Sequence, residues 1–245
     1  MSERTISLRE STLRYSCTVS SDICVIDGRN DLADELRVAL EIGPKGKKVV
    51  AWVPDWPGLS RGAKTADLAV ERLITYGPRY APVAALAGMD DAFPTEVVPN
   101  VVDEYTGTGS TDFWGISFGF SEIDLAPMSD AELERELTLL QAAWAYFDRV
   151  RNQVSDELRK GPRGGGRDRE EVVRHVIGAE YDMCWKVGIP AMPADAWRDD
   201  ANLRAHRDEY VAAIRQYHLC SQLLRDDLGL SPSPDTDALY LKIIG

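Results

Sequence analysis

Residues 129–158 read SDAELERELTLLQAAWAYFDRVRNQVSDEL, and this stretch decides the fold class. Leu133, Leu137, Leu140, Trp144, Phe147 and Val154 recur at steps of three, four or seven, the spacing of one continuous helix face. Ser129 and Glu132 have the spacing of a capping box, which marks the start of that helix. Downstream the pattern repeats. Asp168 and Glu171 again have capping-box spacing, Val172, Val176, Ala179 and Met183 line a second helix, and Gly188-Ile189-Pro190 ends it. A third helix is predicted over residues 200–226, where Leu203, Tyr210, Ile214, Tyr217, Leu224 and Leu228 keep helical intervals up to Gly229. The tail SPSPDTDALYLKIIG is too short and too proline-rich for a further long helix.

Upstream the apolar runs are of strand length. SDICVID is one, and Val49 to Val53 is another, stopped by Pro54, Pro57 and Gly58. Thr65 is placed to cap a short amphipathic helix that Gly77-Pro78 would end. Residues 94–106 are β-branched and predict a strand, and TGTGSTDFWGISFGF reads as a glycine-rich loop. The chain is therefore predicted to be α+β, with a small αβ domain over 1–127 and a helical domain over 128–245.

Composition narrows the function classes. With 245 residues, 44% hydrophobic and 28% charged, the chain can bury a substantial core. No apolar run approaches the roughly 20 residues needed to cross a bilayer, and the polar N-terminus lacks a signal core, so a cytoplasmic protein without a membrane partner is expected. A net charge of −12 opposes nucleic-acid binding, which needs a positive surface. Cys17, Cys24, Cys184 and Cys220 form no CxxC pair and read as reduced, structural thiols. Neither a Gly-x-Ser-x-Gly elbow nor a His-Glu-x-x-His motif occurs. Trp52, Trp56, Phe113 and Trp114 are core material or the lining of a cleft between the two halves.

One stretch concentrates positive charge. In LRKGPRGGGRDREEVVRH, residues 158–175, Gly164, Gly165 and Gly166 permit positive φ and close backbone approach, and the following helix offers unsatisfied N–H groups. Arg163, Arg167 and Arg169 could add forked hydrogen bonds to a carboxylate or phosphate. The stretch lacks the Gly-Lys-Ser/Thr of a P-loop. It is either an anion site or a turn whose arginines pair with acidic residues elsewhere.

Two resemblances rest on these segments. Residues 51–76, AWVPDWPGLSRGAKTADLAVERLITY, resemble the small HicB-type αβ module, in which a strand passes through a D-x-P-G turn into a helix. Residues 144–188, with LRKGPRGGGRD and VVRHVIGAEYDMCWKVGI, resemble actinobacterial-type DinB-like helical-bundle proteins. That likeness extends to Asp55–Gly58, Tyr76–Ala84 and Gly107–Phe113. It implies a four-helix bundle related to thiol-dependent isomerases and transferases, many of which hold a divalent metal through three histidines. His175 occupies the position of one. The His-x-x-x-His pair of the last helix is missing, since His206 and His218 lie twelve residues apart, about 120° out of phase on a helix. Glu171 and Asp182 could join His175 around zinc, iron or manganese, with His206 or His218 closing the set. Glu180 points away from His175 and suits an inter-helix contact. Counting donors, with His175 but no His-x-x-x-His on a final helix, predicts weak metal binding. The resemblance thus implies a DinB-like protein binding a small anionic or thiol-containing molecule, with metal-dependent catalysis as one form. The alternatives are a non-catalytic binding or interaction module and, from the HicB-type segment, an antitoxin-like regulator.

Overall fold

The computed structural model describes residues 35–94, 98–159 and 168–231. Within them the chain is α+β, a sheet followed by helices. Strands β1 (Glu35–Ile42), β2 (Val49–Trp52), β3 (Ser60–Ala63) and β4 (Val98–Thr106) stand in the order β3-β2-β1-β4. β4 is parallel to β1 and the other pairs are antiparallel. The sequence pattern does not announce β1. ELRVALEI is rich in Glu, Leu, Arg and Ala, which suit a helix as well as a strand. Burial decides: Leu36, Val38 and Leu40 enter the main core, while Ala39 and Glu41 are buried beside them. The predicted strand SDICVID lies outside the described residues.

The turn Asp55–Gly58 leads from β2 into β3 rather than directly into a helix. Val53 N–H donates to Leu59 O at 3.1 Å across it, and Gly58 supplies a positive φ of 85°. Helix α1 (Ala66–Leu86) follows, capped by Thr65 Oγ1, which accepts from Leu68 N–H at 3.4 Å. The predicted stop at Gly77-Pro78 does not operate. Gly77 has no Cβ to clash with the proline ring, and the helix runs on through Pro78 and Pro82. Val83 and Ala84 are buried beyond them, and this packing outweighs the missing hydrogen bonds. Termination comes at Gly88, in a positive-φ conformation, where Met89 N–H reaches Ala84 O at 2.9 Å.

The segment read as a glycine-rich loop contains one short capped helix, α2 (Gly109–Trp114), and a second, α3 (Glu122–Leu125), follows directly after it. Three long helices follow among the described residues: α4 (Asp130–Gln153), α5 (Arg169–Lys186) and α6 (Asp200–Leu228). Their starts match the sequence: the Ser129/Glu132 and Asp168/Glu171 capping boxes are both formed. Gly229, at φ 62°, ends α6 as predicted. The buried face of α5 is displaced by one residue, to Val173, Ile177 and Cys184. Leu139 gives α4 a second buried face, packed in the core with the sheet and α1.

Side-chain partners fix the helix directions. Asp130 meets His218, Glu134 meets Arg215 and Asp148 meets Arg207, so α4 and α6 are antiparallel. Val173 and Ile177 share a core cluster with Leu203, and Cys184 shares another with Tyr210, Val211 and Ile214, so α5 runs in the same direction as α6. The bundle is therefore not antiparallel throughout, and residues 187–199 carry the chain back between these two parallel helices. The described residues belong to one compact unit, in which α4 packs on α1. Among the described residues no helix is long and apolar enough to cross a membrane.

Candidate functional site

Where α4, α5 and α6 meet, one guanidinium joins all three. Arg207 of α6 is only 5% exposed. Its Nε and Nη2 donate to the two carboxylate oxygens of Glu180 on α5, each at 2.8 Å, and Nη1 donates to Asp148 of α4 at 2.8 Å. This is the inter-helix role expected of Glu180, with geometry that a planar guanidinium fork provides and a lysine does not. Burial alone would lower the pKa of Arg207, but the bonds to Glu180, and then the charge of Asp148, outweigh it and hold it above the ordinary value. The network continues outward. Arg151 Nε lies 3.0 Å from the second oxygen of Asp148, and its Nη2 donates to Asp200 at 2.6 Å.

Beside Arg207 a cleft of about 390 Å³ opens between α4 and α6. One wall is the i, i+3, i+4, i+7 stripe Gln141, Trp144, Ala145 and Asp148 of α4; the other is Asp200, Arg204, Arg207 and Asp208 of α6. The size lies in the range of small-molecule pockets. The Arg207 guanidinium lies 5.0 Å from the Trp144 ring centroid and so braces the indole. Most of the charge is spent internally: Asp148 on Arg207 and Arg151, and Asp200 on Arg151. The side chains of Arg204 and Asp208, one turn apart, are exposed and make no hydrogen bond or ion pair among the described residues. The cleft therefore presents one uncommitted cation, one uncommitted anion and an aromatic face.

The residues chosen from the sequence lie elsewhere. Arg163, Gly164, Gly165, Gly166 and Arg167 fall outside the described residues. Arg169 is engaged within the protein, donating to Val154 O at 2.9 Å and pairing with Asp156. His175 and Asp182 are exposed on α5, while the Glu171 carboxylate closes its capping box through Asp168 N–H. His206 is buried: its Nε2 donates to Pro190 O at 3.1 Å, and its Nδ1 faces the Cys184 thiol 3.7 Å away. Burial, then the charges of Glu180 and Glu209, pushes that thiol up to about 12, which keeps it protonated. His218 faces Asp130 at 2.9 Å. Among the described residues no three or more His, Cys, Asp or Glu side chains stand close enough to hold a metal. The residues thus do not fit the histidine-centred site that the resemblance implies. Nor do the four aromatics converge. Trp56 is buried against Tyr80 and Phe93, whereas Phe113 and Trp114 are exposed and packed edge to face on each other.

The sheet half has its own buried charge. Glu41 is 0% exposed, yet among the described residues no cation touches it. Ser117 Oγ donates at 2.5 Å, Tyr105 Oη at 3.1 Å, Gly119 N–H at 3.0 Å and Phe118 N–H at 3.2 Å, and Thr111 Oγ1 makes a further short bond. Burial alone would raise the Glu41 pKa; the donors, led by Ser117 and Thr111, outweigh it and leave the carboxyl below its usual range. Gly107 is required by this approach, since a Cβ there would overlap the carboxylate. Asp112 locks the same loop to the β1–β2 turn by accepting from Lys45 and Lys47 N–H, each at 2.7 Å. Compared with family models, curated proteins and solved structures, the chain matches none.

Proposed function

We propose that this chain is a small-molecule-binding module built on a DinB-like helical bundle, and that its ligand is a small zwitterion held between α4 and α6. The supporting observation is the pairing of uncommitted Arg204 and Asp208, one helical turn apart, in a cleft whose remaining charges are tied together by Arg207 and Arg151. A carboxylate accepts the forked donors of Arg204, an ammonium donates to Asp208, and an apolar body lies against Trp144. Arg207 holds the wall in place, because three of its five N–H donors are committed to Glu180 and Asp148. Binding without turnover fits the same arrangement: the nearest thiol, Cys184, is buried and protonated, and His206 is committed to Pro190 O. The sequence resemblance supplies the bundle, and the local geometry supplies the ligand class.

Calorimetric titration with phenylalanine, succinate and putrescine as probes tests the reading. Phenylalanine should saturate one site, the two singly signed probes should not, and Arg204→Ala should abolish binding without lowering the thermal midpoint. Equal binding by wild type and Arg204→Ala would refute it.

A further inference from the structure

The Glu41-anchored loop carries an inverted pattern of polarity. From Ile116 to Ser121 the sequence is ISFGFS. Ser117 Oγ and Gly119 N–H turn inward to Glu41 and Ser121 is buried, while Ile116, Phe118 and Phe120 are exposed. Phe113 and Trp114, just before them, are 69% and 66% exposed. A run that ties its small polar groups to one carboxylate and displays its bulky apolar side chains is not arranged for water. Neither is it loose, since the donors to Glu41 and the Asp112 clamp hold its backbone.

Charge along this strip is polarised. At the Phe113 end stands the lysine turn. Lys48 Nζ donates to Phe113 O at 2.5 Å, and Lys45 and Lys47 are fixed through their backbone N–H groups, leaving their ammonium groups exposed. At the Phe120 end Glu122 is exposed and without a side-chain partner among the described residues, and Asp124 borders the same hollow as Phe118 and Phe120. We infer that this face binds a second copy of the chain, with the two strips antiparallel about a two-fold axis. An isologous interface must be complementary to itself, and antiparallel packing sets the lysine end of each strip on the acidic end of the other. A uniformly anionic surface, such as a bilayer or a nucleic acid, would meet repulsion at Glu122 and Asp124. The edge-to-face packing of Phe113 on Trp114 also offers no parallel platform for stacked bases. Elsewhere a chain of net charge −12 repels its own copy, so attraction has to be local.

Sedimentation velocity over a micromolar concentration series tests this with the full chain. Wild type should shift from 27.2 kDa toward twice that mass. Trp114→Ser with Phe118→Ser should weaken dimerisation ~10-fold or more, as loss of central aromatic anchors does, with an unchanged circular dichroism spectrum. Lys45→Glu and Glu122→Lys should each be monomeric alone and should form a mixed dimer when combined, because both charge contacts are then restored. A wild type that stays monomeric at every concentration overturns the inference. So does a dimer indifferent to Trp114→Ser with Phe118→Ser, failure of the two charge variants to associate, or binding of anionic vesicles or oligothymidine in place of self-association.

Discussion

The two halves of the molecule each bury a charge, and they neutralise it in opposite ways. Glu41, in the sheet half, is surrounded by hydroxyl and amide donors and, among the described residues, no cation; Arg207, in the helical half, is held by two carboxylates from two other helices. Dipoles reach only a short distance, so the Glu41 arrangement gathers one loop, residues 105–119, around a single carboxylate. Ion pairs between long side chains span helix axes, so Arg207 can set the spacing of three helices and leave a cleft between two of them. The first device shapes a surface and the second shapes a pocket. The comparison also predicts unequal responses to damage, because an ion pair that loses one partner strands a charge, whereas a ring of neutral donors that loses its acceptor strands only dipoles.

The largest effect is expected at Arg207. Arg207→Met leaves the half-buried Glu180 without its partner and should cost about 3 kcal/mol in urea unfolding. Adding Glu180→Met should recover most of that loss, and failure to recover would show that Arg207 contributes through packing on Trp144 instead. Glu41→Gln is milder. The amide keeps one acceptor but turns an NH₂ toward N–H donors, for a loss of about 2 kcal/mol. Hydrogen exchange should show faster opening of residues 107–120 in that variant and little change in α6. Uniform loss of protection across both halves would erase the distinction drawn between them.

Proton linkage provides a third contrast. Glu136, on α4, is pushed up to about 7 chiefly by burial, with Arg135 opposing and the charges of Asp55 and Glu132 adding to it. A carboxyl with a raised folded-state pKa contributes full stability below its unfolded value and loses it as pH climbs through about 7. Glu41, with a lowered pKa, has the reverse sign: its contribution is present above the ordinary carboxylate range and fades as acid is added. Glu136→Gln should therefore be neutral at acid pH and stabilising at mildly alkaline pH, by on the order of 2 kcal/mol, from paired denaturation curves. A stabilisation of equal size at both pH values would contradict the burial account. The smallest expected effect is Ser129→Ala, about 1 kcal/mol, through loss of the hydroxyl that accepts from Glu132 N–H.

What the sequence made legible follows from range. The caps at Thr65, Ser129, Asp168 and Gly229 depend on neighbours three or four residues away, and all four form. The face of α5 was ambiguous because Val172-Val173 and Val176-Ile177 offer two adjacent apolar stripes of equal strength; packing chose the second. The end of α1 and the existence of β1 depend on burial against elements distant in sequence, which outweighed a Gly-Pro stop and a helix-like composition. Both buried charges were beyond local reading. Thr111 and Ser117 lie 70 and 76 residues from Glu41, and Glu180 lies 27 from Arg207. Glu180 could be read as an inter-helix residue from its phase, but nothing local named its partner. Arg204 and Asp208 have no motif around them and emerge only when α4 and α6 are side by side.

The cleft is the central claim, and nitrogen-resolved magnetic resonance during titration with phenylalanine tests it most directly. The indole N–H of Trp144 and the Nε–H of Arg204 should shift together along one saturating curve, while the indoles of Trp52 and Trp114, in the sheet half, stay fixed. Movement of Trp52 or Trp114 with Trp144 unchanged would contradict the account and assign binding to the Glu41 loop.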